Sequence, residues 1–148
     1  MADETLDEVE ANPLHKKLGL RPGLAAAVIA APEGDSNPLA PLPEGTASYA
    51  SVEDFADTAG QLEYIHVFAR NRTELTRHFA ALREHLSPAG SLWVSWIKQS
   101  SGRRGGGLPG DLNENVIRRM ALSGGLVHVK VAALDHEWAA LRLVHRKH

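Results

Sequence analysis

Ser91–Gly110, SLWVSWIKQSSGRRGGGLPG, changes character halfway along, and that change decides the fold. Leu92, Trp93, Val94, Trp96 and Ile97 are the aromatic and branched residues that a buried strand favours. Lys98, Ser100, Ser101, Arg103 and Arg104 follow, then a run of three glycines, and a helix start is expected at Asp111. A buried strand that delivers a cationic, glycine-rich loop to a helix belongs to an open α/β sheet. Ligands of such sheets bind outside the carboxyl ends of the strands, and helix N-termini favour anions. The stretch is therefore the first candidate site. Its expected ligand is a small anion or a nucleotide, held by Lys98, Ser100, Ser101, Arg103, Arg104 and Asn113. Trp93 and Trp96 lie three positions apart, so on a strand they face opposite layers.

The flanking segments supply the other elements. Upstream, Asn71-Arg72-Thr73-Glu74 has capping-box spacing with Asn as the cap. The helix behind it aligns Leu75, Phe79, Leu82 and Leu86 on one face, and Pro88 and Gly90 are expected to stop it. Leu62–Ala69 reads as a strand. Ser51 is placed to cap a short helix through Val52 and Phe55, with Glu53 and Asp54 in its first turn. Thr46–Ala50 reads as a short strand, and residues 32–45, with four prolines, as a surface loop. Leu24–Ala31, LAAAVIAA, is continuously apolar between turn residues, the pattern of a central parallel strand covered on both faces. Pro13 opens a short helix that Gly19 ends. Downstream, Asp111 is the expected cap of a helix that Gly124 and Gly125 close. Val127–Leu134 and Trp138–His145 are joined by so few residues that they must pair antiparallel.

Strands alternating with helices give an α/β fold: a mostly parallel sheet of about six strands, helices on both faces, and a C-terminal antiparallel hairpin. Residues 13–148 are expected to form one domain, preceded at 1–12 by a disordered acidic tail.

The net charge of −2 conceals segregation. Residues 1–12 carry five acids and no base, 13–21 three bases, 22–69 seven acids and no base, and 70–148 thirteen bases and six acids. Such asymmetry serves either mutual neutralisation within the fold or an anionic partner. Nucleic acid is disfavoured, because the isoelectric point of about 6.4 is far below the value of about 9 typical of such domains. Arg118, Arg119, Lys130, Arg142, Arg146, Lys147 and His148 are nonetheless the residues that could join Arg103 and Arg104 in a basic surface.

The absence of cysteine removes disulfides, thiolate metal sites and cysteine nucleophiles, and fits a cytoplasmic protein. No apolar run reaches the roughly 18 residues of a membrane span, so no membrane association is expected. No metal site is expected either. His78 and His85 share a helix face but lie about 10 Å apart in rise, and His66 alternates with Ile65 and Val67 as a satisfied strand histidine does. There is no P-loop, no nucleophile elbow and no triad, so no catalytic residue is assigned.

The order of elements resembles the class I methyltransferase fold. Leu20-Arg21-Pro22-Gly23 is similar to that superfamily's lead-in to its first strand. Leu86-Ser87-Pro88-Ala89-Gly90-Ser91-Leu92 resembles its turn between helix and strand, and Gly125-Leu126 with Trp138–Leu143 its terminal hairpin. The resemblance implies S-adenosylmethionine near the first strand's end, where the superfamily carries a glycine-rich turn. Here that turn reads Ala30-Ala31-Pro32-Glu33-Gly34, so Pro32, Glu33 and Gly34 are the candidate cofactor contacts in a degenerate motif. An acidic residue at the second strand's end is missing too, Glu53 and Asp54 coming later. The run W-V-S-W-I-K-x-x-S-G, then D-L-N-E-N-V-I-R, G-L-V-x-V-K-V and W-x-x-L-R-L-V-x-R resembles a small bacterial family catalogued as a domain of unknown function, which implies the same fold and no activity.

The expectation is therefore a methyltransferase-like domain, non-enzymatic and without cofactor, binding a small anion or a protein partner at the carboxyl edge of its sheet. The alternatives are a divergent S-adenosylmethionine-dependent methyltransferase and an interaction module that self-associates.

Overall fold

The computed structural model of the protein describes residues 12–58, 60–98 and 111–146. Residues 1–11, Ser100, Ser101, Arg103, Arg104, Lys147 and His148 lie outside the described residues. In chain order the elements are α1 (Pro13–Leu18), β1 (Ala26–Ile29), β2 (Thr46–Tyr49), α2 (Val52–Thr58), β3 (Leu62–Phe68), α3 (Arg72–Glu84), β4 (Leu86–Ile97), α4 (Glu114–Ser123), β5 (Leu126–Ala133) and β6 (Trp138–His145). The strands form one sheet in the order β2-β1-β3-β4-β6-β5. β1 to β4 run parallel, and β6 is antiparallel to both its neighbours.

β1 is an interior strand, between β2 and β3, and is apolar throughout. Ala27 and Ile29 enter one core layer and Ala26 and Val28 the other, each side chain buried. α2, α3 and α4 cover the first layer through Phe55, Leu75, Phe79, Leu82, Ile117 and Ala121. The second layer is roofed by α1 and the segment after it, through Leu18, Leu20 and Leu24, and by the loop between β1 and β2, through Leu39. Trp93 and Trp96 do fall in opposite layers. The Trp93 indole Nε1 donates to the Leu18 carbonyl at 3.0 Å, tying α1 to the middle of the sheet. Asn12 Oδ1 accepts from the Leu14 amide at 2.9 Å to cap α1, while its Nδ2 reaches the Pro38 and Ala40 carbonyls.

Two local expectations are corrected. Pro88 and Gly90 do not end α3; it ends at Glu84, and the residues from Leu86 onward already belong to β4. Leu62 pairs with Leu86 and Tyr64 with Ser91, so an irregularity in β4 takes up the extra residues. A bulge tolerates a proline, which has no amide to donate. Gly90 is needed there, because a Cβ would stand 2.9 Å from Leu86 Cδ1 and 3.0 Å from the Leu62 carbonyl oxygen. The second correction concerns α4, whose cap is Asn113 and not Asp111. Asn113 Oδ1 accepts from the Val116 amide at 2.9 Å. Asp111 instead accepts from the Arg72 amide at 2.7 Å, satisfying a first-turn donor of α3.

Candidate ligand groove at the carboxyl edge

The sheet order reverses at β1, where the chain passes first to β2 on one side and later to β3 on the other. The crevice beyond the carboxyl ends of β1 and β3 is thus the topological switch point, where open α/β sheets place ligands. Ala30 follows β1 with φ of 59°, in the left-handed region that disfavours a Cβ. Its amide donates to the Tyr49 carbonyl at 2.8 Å, so the strained residue is held against the end of β2.

Arg70, two residues past β3, spans the crevice. Its Nη1 donates to the Ala30 carbonyl at 2.7 Å and to the Phe68 carbonyl at 3.0 Å. The guanidinium carbon lies 5.6 Å from the centroid of the Trp138 ring, a cation–π placement. Five N–H donors make up a guanidinium. Those of Nε and Nη2 make no hydrogen bond among the described residues, so the group retains donors for a ligand.

Beside it opens a groove of about 470 Å³ lined by Ala30–Glu33, Ala50–Glu53, Arg70, Glu74, Arg77 and His78. Pro32 and Glu33 lie in this lining, while Gly34 begins a 3-10 turn just beyond. Glu53 Oε2 faces His78 Nε2 at 3.6 Å; the carboxylate side is 66% exposed and the imidazole 13%, so Glu53 stays available to a ligand. The groove therefore has the carboxylates of Glu33 and Glu53 on its β1 and β2 side, and the guanidinium groups of Arg70 and Arg77 together with the Glu74 carboxylate on its β3 side.

Lys98 and Asn113 are elsewhere. Lys98 Nζ donates to the Asp135 carbonyl at 2.7 Å, and its amide to the Glu137 carbonyl at 2.9 Å, so the side chain braces the turn between β5 and β6. Asn113 Oδ1 is occupied in capping α4. Neither lines the groove that holds Pro32 and Glu33. Sequence reasoning passed over Arg70, Glu53 as a groove residue, and Arg77. A signal for Arg70 was present: it is the first base after a base-free run from residue 22, and it stands directly behind a strand's carboxyl end.

The core behind the crevice holds one ionisable chain. Tyr64 Oη bonds His66 Nδ1 at 2.9 Å, and His66 Nε2 bonds Ser95 Oγ. His66 is fully buried and stacked on Phe68 with centroids 4.8 Å apart. Burial pulls its pKa from 6.5 down to about 3, so the imidazole is neutral at ordinary pH. Burial also raises the Tyr64 phenol, which stays protonated. The trio is a satisfied structural link, since each polar atom has a partner. Among the described residues no three His, Asp or Glu side chains gather as metal ligands do, and no helix is long and apolar enough to cross a membrane.

No protein-family model matches the chain, and no curated protein does. Solved structures do. The N-methyltransferase NodS from Bradyrhizobium japonicum WM9, in complex with S-adenosyl-L-homocysteine, is 17% identical with a TM-score of 0.57, over 95% of this chain and 91% of that one. Magnesium protoporphyrin IX methyltransferase (ChlM) from Synechocystis PCC 6803, with the same bound ligand, is 14% identical with a TM-score of 0.56, over 98% and 84%. A putative methyltransferase from Thermoplasma acidophilum is 8% identical with a TM-score of 0.57, over 90% and 74%. At such identities the likeness is one of fold, and the fold of this chain is the methyltransferase-like α/β sheet with its C-terminal antiparallel hairpin.

Proposed function

We propose that the chain is a divergent S-adenosylmethionine-dependent methyltransferase whose ligand lies in the groove beside Pro32 and Glu33. The observation that carries this reading is a groove at the switch point of the sheet that offers both carboxylates and a guanidinium with unspent donors. Ribose hydroxyls are donors and suit the carboxylates of Glu33 and Glu53. The amino-acid carboxylate of the ligand suits the unspent donors of Arg70, since a guanidinium and a carboxylate form charge-assisted bonds. Ala30 adopts the left-handed turn for which the superfamily's glycines are suited, so the backbone has the bend without the glycine. Pro32 gives no amide, which leaves backbone donation to its neighbours. When bound, S-adenosylmethionine supplies an electrophilic methyl group; the residues of this chain bind and orient it.

A second reading keeps the same edge without catalysis, as a domain that binds an anion or a protein. Arg70 favours it, because its bonds to Ala30 and Phe68 draw a side chain across the crevice. Isothermal titration with S-adenosylhomocysteine and S-adenosylmethionine separates the two. The first reading expects binding with Kd below about 1 mM, weakened by both Glu53→Gln and Arg70→Met. No heat with either ligand at that concentration discards the first reading in favour of the second.

A further inference from the structure

A different surface, across the second core layer, carries charge that the carboxyl edge does not use. Between α1 and the hairpin runs a groove of about 340 Å³ whose lining includes Lys16, Lys17, Arg21, Lys130 and Arg142, with Glu63 as the one carboxylate in that lining. None of these five cations is in an ion pair among the described residues, where the ion pairs are those of His78 with Glu53 and Arg118 with Glu114. Lys130 and Arg142 are direct cross-strand partners of β5 and β6. Like charges placed opposite each other repel, yet both side chains are held toward the groove. Arg142 Nε donates to Ser91 Oγ at 2.8 Å, and Lys130 Nζ donates to the Lys17 carbonyl at 3.1 Å. The lysines of α1 are thus brought beside this pair by a contact spanning the length of the chain.

Arg142 also lines the adjoining cavity of about 940 Å³, together with Arg83, Arg146 and one carboxylate, Glu84. The positive strip is therefore elongated and not a single point.

We propose that this groove is a binding site for an oligophosphate anion, a chain of at least two phosphoryl groups. The elongated strip asks for more than one charge, and guanidinium and ammonium groups together match phosphoryl oxygens. Binding relieves the repulsion between Lys130 and Arg142. The site is independent of the carboxyl-edge groove, sharing no lining residue with it.

The test is isothermal titration of the full chain with inorganic tripolyphosphate at low salt, against the Lys16→Gln, Lys130→Gln and Arg103→Gln/Arg104→Gln variants. Thermal melts confirm that each variant folds, and Arg142→Lys serves as a second probe that keeps the charge. The expected result is saturable binding, weakened at least about tenfold by Lys130→Gln and by Lys16→Gln, and falling as salt rises. Arg142→Lys weakens it less than Lys130→Gln. The proposal is overturned by an absence of heat, or by binding that the Arg103/Arg104 double variant abolishes and Lys130→Gln leaves intact. It is overturned equally if a short single-stranded oligonucleotide binds more than about tenfold tighter than tripolyphosphate, which makes the strip a nucleic-acid surface.

Discussion

Arg70 Nη1 sits 2.7 Å from the carbonyl oxygen of Ala30, the residue that alone among described non-glycines has a positive φ. A side chain from the end of β3 thereby secures a bent backbone at the end of β1. Arg70→Met removes two charge-assisted bonds at a largely exposed site, where solvent screens them, so the expected loss is about 1 kcal/mol in urea unfolding. Unchanged stability would mean that the bent backbone holds itself.

Ala30 offers a second check on the same bend. A left-handed alanine costs about 1 kcal/mol, and the extra unfolded-state entropy of glycine returns about 0.4–1 kcal/mol of that. Ala30→Gly is therefore expected to leave stability within about 0.5 kcal/mol of the parent. Ala30→Val, branched at Cβ, is expected to cost more than about 1 kcal/mol. Equal effects of the two substitutions in chemical denaturation would contradict the assigned backbone conformation.

His66 makes the fold sensitive to acid. Its folded pKa is about 3 against 6.5 for the free side chain, so between those values the unfolded chain binds a proton that the folded chain refuses. Stability from this group is complete above the unfolded pKa and declines as the pH falls, by about 1.4 kcal/mol per unit in that window. Unfolding free energies measured from pH 7 to pH 4 are expected to show this slope, and His66→Gln to flatten it at the cost of lower stability at pH 7. A slope identical in the variant would assign the acid sensitivity to the carboxylates.

Asp111 and Asn71 serve one helix end. Asn71 Oδ1 accepts the Glu74 amide at 2.8 Å, and Asp111 Oδ1 the Arg72 amide at 2.7 Å. Each alanine substitution is expected to cost about 0.5–2 kcal/mol. Asp111→Ala has a further signature, since the segment that leads into α4 loses its attachment to α3. Hydrogen exchange is expected to accelerate in the first turns of both helices; acceleration in α4 alone would return Asp111 to the capping role that its spacing suggested.

Gly90→Ala puts a Cβ 2.9 Å from Leu86 Cδ1 and Ser87 Oγ, and 3.0 Å from a backbone oxygen of β3. Side chains can yield but the paired strand cannot, so a loss of about 1–3 kcal/mol is expected in thermal unfolding. Stability equal to the parent would mean that the bulge in β4 adapts.

Burial patterning made most of the sheet legible. LAAAVIAA suits a buried helix as well by composition, and Pro22, Gly23 and Pro32 around it favour the covered strand that forms; the spacing of Trp93 and Trp96 divided the layers before any pairing was known. The beginning of β4 was not legible, because Pro88 and Gly90 are local stop signals whereas the bulge that accommodates them is fixed by β3. Asp111 failed for a related reason: its spacing fits a cap for the nearest helix, but its acceptor is used by a helix about forty residues earlier in sequence. The site divided similarly. Pro32 and Glu33 were placed by chain order at the first strand's end and do line the groove. Arg70 acquires its meaning from contacts with β1 and β6, and Lys98 from the hairpin turn. No single window of sequence contains those partners.

The bond from the Trp93 indole to the Leu18 carbonyl has a consequence for how the molecule opens. A helix of the length of α1 is too short to persist in water alone. It exists while its last carbonyl has the indole and Leu18 has the second layer. Its amide protons therefore act as a clock for that layer. They exchange when the roof over Trp93 lifts, and Trp93 emission moves at the same moment, so one tryptophan reports the arrival of a helix encoded some seventy residues before it.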